Sequence, residues 1–113
     1  MKNKILGLTR LLKEETGKII SGEIELPNRA VATITRASVS NDLKTARIFI
    51  SVLGNKYQEE EIFRTLKACS GKIQHILNKR LRIKFVPKIT FLKEKYMEEE
   101  MKMEELLEKL EEK

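Results

Sequence analysis

A chain of 113 residues with 41% hydrophobic content has room for one hydrophobic core and not for two. Its 23 Lys and Arg against 17 Asp and Glu give a formal charge of +6, and no apolar run approaches the roughly 18 residues that suggest a membrane-spanning helix. One cysteine, Cys69, excludes an internal disulfide and agrees with a reducing compartment, so a cytoplasmic protein with no membrane association is expected.

The opening MKNKILGLTRLLKEE has an apolar run broken by Arg10 and Lys13 with no small-residue cleavage site after it, so it reads as a helix and not a signal peptide. Ile5, Leu8, Leu12 and Ile19 keep a helical stripe through residues 3–20, until Gly22 and Leu26-Pro27-Asn28 break it. Two strands are expected next. Residues 30–39 are rich in β-branched types, and residues 46–53 set Ala46, Ile48, Ile50 and Val52 against Arg47, Phe49 and Ser51. The link SNDLKT supplies Ser, Asn and Asp that bond their own backbone, which predicts an antiparallel hairpin.

After Gly54-Asn55 a second helix is expected, with Glu59, Glu60 and Glu61 as a solvated first turn where the helix dipole favours anions and Ile62, Phe63 and Leu66 as its buried side. Gly71 is expected to bend this helix sharply into a third. In the third, Ile73, Ile76 and Leu77 turn inward and Lys72, His75, Asn78 and Lys79 outward. A cationic run with Arg80, Arg82 and Lys84 leads past Pro87 into a third strand at residues 88–93. The order is α-β-β-α-α-β. A domain of residues 1–95 is then followed by an amphipathic Glu/Lys-rich helix over 96–113, with Met103, Leu106, Leu107 and Leu110 on one side.

Charge is unevenly distributed. Residues 1–93 hold 19 Lys and Arg against 8 Asp and Glu, net +11, whereas residues 94–113 hold 4 against 9, net −5. A basic body is steered toward polyanions, and nucleic acid is the expected partner.

Catalytic and metal chemistries lack their parts. His75 and Asp42 are the only residues of their types, so an acyl-transfer triad would require both to meet a nucleophile. One Cys and one His cannot supply a structural zinc site, and Gly17-Lys18 and Gly71-Lys72 lack the earlier glycine of a nucleotide loop, Leu12 and Leu66 standing there instead. No cofactor, no metal and no enzymatic step are expected. Cys69 reads as a small core residue, and Phe49 and Phe91 as core rather than as base-stacking platforms.

The stretches ETGKIISGEIELPNRAVATITRASVSNDLKTARIFISVLG, SGKIQHILNKRLRIKFVPKITF and MKMEELLEKL, in this order and spacing, resemble the ribosome-binding factor A family over most of the chain. The resemblance implies an α+β fold with a single K-homology-like (KH-like, type II) domain. K-homology domains grip nucleic acid with a GxxG loop between two helices, and here Gly71 is followed three residues later by Gln74. The family instead carries an interrupted Ala-x-Gly kink, matched by Cys69-Ser70-Gly71 with Cys69 departing from the alanine. The implied function is binding to the immature 30S ribosomal subunit and its 16S rRNA, promoting late maturation that includes 5′-end processing. When free, the protein is expected to be a monomer.

Charge and expected exposure select Arg36, Lys44 and Arg47 of the hairpin, and Lys72, Lys79, Arg80, Arg82 and Lys84 around the kinked helices, as phosphate contacts on one compact cationic surface. Two other readings remain open at this point. One is a general RNA-binding domain with no ribosomal role; the other is a protein-interaction module using the C-terminal apolar stripe.

Overall fold

A computed structural model describes residues 2–28 and 30–94 of the chain. The expected helix over 96–113 lies outside the described residues. Helix α1 (Lys2–Glu23) is followed by strands β1 (Val31–Val39) and β2 (Thr45–Leu53), helices α2 (Lys56–Ala68) and α3 (Ser70–Arg80), and strand β3 (Lys88–Lys93). The three strands form one sheet in the order β1-β2-β3, with β1 antiparallel and β3 parallel to β2. The parallel pairing obliges the chain to cross over between β2 and β3, and the α2–α3 pair is that crossover.

Period-two alternation on β2 buries Ala46, Ile48 and Ile50 and leaves Thr45 and Arg47 exposed, as the sequence pattern expects. The buried row meets Leu12 and Ile19 of α1, Ile62 and Leu66 of α2, Ile73 and Leu77 of α3, and Ile89 of β3 in one core. Helices therefore cover one face of the sheet. Among the described residues no helix covers the other, which is lined by Arg47, Phe49 and Thr90.

Strand β1 would fail the same alternation without an irregularity. Ile34 pairs with Ile50 and Ala37 with Ile48, both on the core side, although three positions separate them. A bulge between Ile34 and Arg36 makes Thr35 the extra residue and reverses the parity. Without it, the alternation that points Ala32 and Ile34 inward would drive the Arg36 guanidinium into the core.

The start of α2 corrects one expectation. Asn55 is the N-cap, its side chain accepting from the Gln58 amide while the Gln58 side chain accepts from the Asn55 amide, both at 2.8 Å. The first turn thus begins at Lys56, and of the three glutamates only Glu59 lies in it. Nor are all three merely solvated. Glu59 pairs with Lys93 at 2.9 Å and Glu61 accepts from Asn28 at 3.2 Å, leaving Glu60 as the exposed one of the three. Hydrogen bonds from Tyr57 and Asn28 hold the Glu61 carboxyl below its ordinary range. Asn28 itself sits at φ 55, a left-handed conformation that asparagine tolerates, and its side-chain oxygen accepts from the Ala30 amide at 2.7 Å. It fastens the α1–β1 connection to α2.

Candidate nucleic-acid interface

The bend between α2 and α3 falls at Cys69, not at Gly71. Cys69 has φ −92 and ψ 2, closes α2 by donating its amide to Thr65 at 2.9 Å, and opens α3 by accepting from the Ile73 amide at 2.9 Å. Gly71 lies inside α3, has no positive φ, and a side chain there would meet nothing within 4 Å. A single residue in the bridge region can redirect the chain from one helix axis to the next without needing glycine's freedom. Cys69 is half-buried against the core, near the small-residue role expected of it.

The eight cations do not form one surface. Lys72, Lys79 and Arg80 lie on α3, within the helical layer, and Arg82 and Lys84 follow in the connection to β3, all exposed. Two of the five are partly engaged within the fold: the Lys72 ammonium donates to the Glu23 carbonyl at 3.3 Å, and Arg80 pairs with Glu15 of α1 at 3.4 Å. Lys79 and Arg82 make no such contact among the described residues and are the freest of the set. Lys79 and Arg80 also complement the negative end of the α3 dipole.

Arg36 and Arg47 project from the opposite face, which no helix covers among the described residues, because β alternation assigns them the side away from Ile48. Arg36 is held there. Its Nε donates to Glu94 at 2.9 Å and its guanidinium stacks over the Phe49 ring with 3.8 Å to the centroid, while the Thr35 hydroxyl donates to the same Glu94 oxygen at 2.8 Å. Phe49 therefore is not a core residue; Phe91, from the other side of the sheet, does pack against the core. The expectation of one compact cationic surface shaped by the kink is corrected to two faces joined by one end of the molecule.

That end unites residues which sequence spacing kept apart. Ser40, Asp42 and Leu43 form the β1–β2 turn: the Ser40 hydroxyl donates to Asp42 at 2.6 Å, the Lys44 amide donates to the same carboxylate oxygen at 3.0 Å, and the Leu43 amide donates to the Ser40 carbonyl at 2.9 Å. The Ser40 hydroxyl and the Lys44 amide hold the Asp42 carboxyl below its ordinary range. The Lys88 amide donates to the Lys44 carbonyl at 2.9 Å, which docks the α3–β3 connection beside the turn. Lys44 and Lys84 consequently line one cavity, joined by Lys4 from α1 and by Phe85. Neither Lys4 nor Phe85 stood out in the sequence; the signal available was an aromatic directly after the cations Arg82 and Lys84 in the connection to β3.

Gln74, at the place where a GxxG loop would carry its last glycine, turns toward strand β3. Its carbonyl accepts from the Ile89 amide at 2.9 Å, and its amide donates to the Pro87 carbonyl at 3.1 Å. A side chain thus occupies the edge of β3 beside the helical bend. His75 is exposed next to it, and no group of three or more metal-ligating side chains occurs among the described residues.

Comparison with known proteins assigns a context to this arrangement. Residues 4–107 match the family model described as ribosome-binding factor A. Ribosome-binding factor A of Caldanaerobacter subterraneus subsp. tengcongensis is 33% identical over 104 residues, covering 91% of this chain and 85% of that protein. The protein of the same name from Halothermothrix orenii is 32% identical over 105 residues, covering 93% and 86%. Among solved structures, the crystal structure of ribosome-binding factor A from Thermus thermophilus superposes with a TM-score of 0.66 at 19% identity, covering 79% of this chain and 93% of that one. A Thermus thermophilus model of ribosome-binding factor A fitted into a cryo-EM map of its 30S complex gives 0.64 at 18% identity, covering 77% and 91%.

Proposed function

This chain belongs to the ribosome-binding factor A family, and from that premise we propose that it binds the immature 30S subunit, contacts 16S rRNA, and promotes late maturation including processing of the rRNA 5′ end. It acts in the cytoplasm as a monomeric binder with no catalytic step of its own. The observation that carries this reading is the family match across residues 4–107, supported by the 30S complex recorded for the Thermus thermophilus relative.

The charge distribution fits such a partner. Exposed cations on α3 and its exit, on the hairpin and on the open sheet face suit a folded RNA that offers phosphates and 2′-hydroxyls from several directions. Each ammonium or guanidinium seated on a phosphate releases condensed counterions, so affinity falls steeply with salt. Lys79 and Arg82, which have no partner among the described residues to give up, carry the strongest case for phosphate contact among the five cations of α3 and its exit.

Deletion of the gene, followed by mapping of 16S precursor ends and subunit profiles, tests the maturation role. The expected result is accumulated 16S rRNA with unprocessed 5′ ends and a surplus of free small subunits. Normal ends and normal profiles would refute it. Competition between purified small subunits and an unrelated structured RNA tests specificity, and equal affinity for both would reduce the protein to a general RNA binder.

A further inference from the structure

The cavity between the β1–β2 turn, α1 and the α3–β3 connection has a volume of about 700 Å³ and joins apolar walls from Leu43, Ile83 and Phe85 to three lysines, Lys4, Lys44 and Lys84. Phe85 is 78% exposed. Burying such a ring gains about 1.5–3 kcal/mol, stability that is forgone while it stays in water. Leu53 is as exposed, but Phe85 is the one aromatic that lines this cavity among the described residues. Lys84 Nζ lies 5.6 Å from the Phe85 centroid, within reach of its π face. Leu43 adds a second departure from the ordinary. It is held at φ 62, where a bulky side chain is rare, by the hydrogen bonds of the Ser40–Asp42 turn, and it stays 39% exposed against the cavity. Asp42, the one acid lining the cavity among the described residues, is engaged by the Ser40 hydroxyl and the Lys44 amide.

A regular RNA duplex would use the lysines and waste the ring, because its bases are stacked away from side chains. An apolar peptide would use the ring and desolvate the lysines to no benefit. A nucleotide lifted out of its stack uses both, its base against an aromatic face and its phosphates against ammonium groups. Resting on the reading of this chain as an rRNA-contacting factor, we propose that this cavity receives one unpaired nucleotide of the RNA, with the base on Phe85 between Leu43 and Ile83 and the flanking phosphates on Lys4, Lys44 and Lys84.

The chain contains no tryptophan, so Phe85→Trp in the full-length protein creates a single fluorescent reporter in the cavity. Titration with a short single-stranded oligoadenylate is expected to quench it, and titration with a blunt RNA duplex to leave it unchanged. Phe85→Ala is expected to weaken oligoadenylate binding by about 5- to 150-fold, the range for losing one base–aromatic stack, with an unaltered thermal melt. Tyr57→Ala, an exposed aromatic on α2, serves as the unaffected control. Failure of the wild type to bind oligoadenylate, absence of quenching, or equal affinity of wild type and Phe85→Ala would overturn the assignment. So would a Phe85→Ala protein that loses subunit affinity while keeping oligoadenylate affinity, since the cavity would then hold a ribosomal protein. Small subunits titrated in parallel separate the two levels. Quenching by oligoadenylate without subunit binding by the wild type would sink the ribosomal role and leave the cavity standing.

Discussion

The side-chain carbonyl of Gln74 accepts the backbone N–H of Ile89 at 2.9 Å, so α3 completes the hydrogen bonding of an edge strand that pairs with no further strand among the described residues. The Gln74 amide also donates to Pro87 and to Asn78, at 3.1 and 3.0 Å. A flexible glycine loop at this place would leave the edge of β3 open to solvent or ligand; a glutamine closes it. Gln74→Ala should therefore lower stability by about 1–2 kcal/mol in urea unfolding, since it orphans a half-buried donor and acceptor together. Hydrogen exchange at the Ile89 amide should accelerate in the same variant, and an unchanged Ile89 rate would remove the clamp.

The two glycines nearest the crossover should respond oppositely to alanine. A Cβ on Gly54 would lie 2.8 Å from Gln58 Oε1 and 3.0 Å from the Ala30 Cβ, colliding with the oxygen that accepts the Asn55 amide in the capping box of α2. Gly54→Ala is expected to destabilise by about 1 kcal/mol through loss of that half of the capping box. Gly71 is helical and unobstructed, so Gly71→Ala should stabilise by about 0.5 kcal/mol by restricting the unfolded chain. Thermal melts of the two variants should shift in opposite directions.

Charge removal on the open sheet face should separate a structural arginine from a free one. Arg36→Ala gives up the Phe49 stack and the Glu94 pair and should cost about 1 kcal/mol, whereas Arg47→Ala should stay within about 0.5 kcal/mol. Denaturant midpoints compare them directly. Loss of RNA binding in an Arg36 variant is interpretable only beside such a stability measurement.

Asp42 gives the turn an acid limit. Its folded-state pKa lies below the unfolded value, so its contribution is complete above the unfolded pKa, about 4, and is lost as pH falls through the folded pKa. Asp42→Asn removes that contribution. The stability gap between wild type and Asp42→Asn, followed by thermal melts from neutral to acidic pH, should be constant above about pH 5 and close as the pH falls below about 4. A gap independent of pH would show that the carboxylate charge plays no part in the turn.

Lys79→Gln and Arg82→Gln should weaken binding to small subunits and reduce the salt dependence of affinity, each lowering the slope of log K against log salt by about 0.9 or less. Arg80→Gln also breaks the Glu15 pair on α1, so it belongs in a separate series. Filter binding across a salt range, with circular dichroism to check the fold, measures both effects. An unchanged slope would exclude these two side chains from phosphate contact.

Everything governed by local periodicity was legible in the order of residues. The apolar stripe of α1, the alternation in β2, the turn residues between the strands and the boundaries of β3 each depend on a few neighbouring side chains, and all appear in the structure where the pattern puts them. The cationic character of the body was equally legible, because charge is a property of composition. The places where the reading failed share a cause with one it never addressed. The bend at Cys69, the position of Phe49 outside the core and the extra residue at Thr35 are settled by what lies across the sheet or under the helix, and no local pattern encodes the partner.

Which cations share a surface was settled by packing alone. The sequence places Arg36 and Arg47 on strands and Lys79 and Arg82 at the end of a helix, but does not say on which side of the molecule each group lies; a sheet has two faces and, among the described residues, the helices cover one of them. The cavity that joins Lys4, Lys44 and Lys84 exists because the parallel placement of β3 carries its entering connection back to the β1–β2 turn, where the Lys88 amide binds the Lys44 carbonyl. Local chemistry chose the residues; the crossover between parallel strands chose their neighbours.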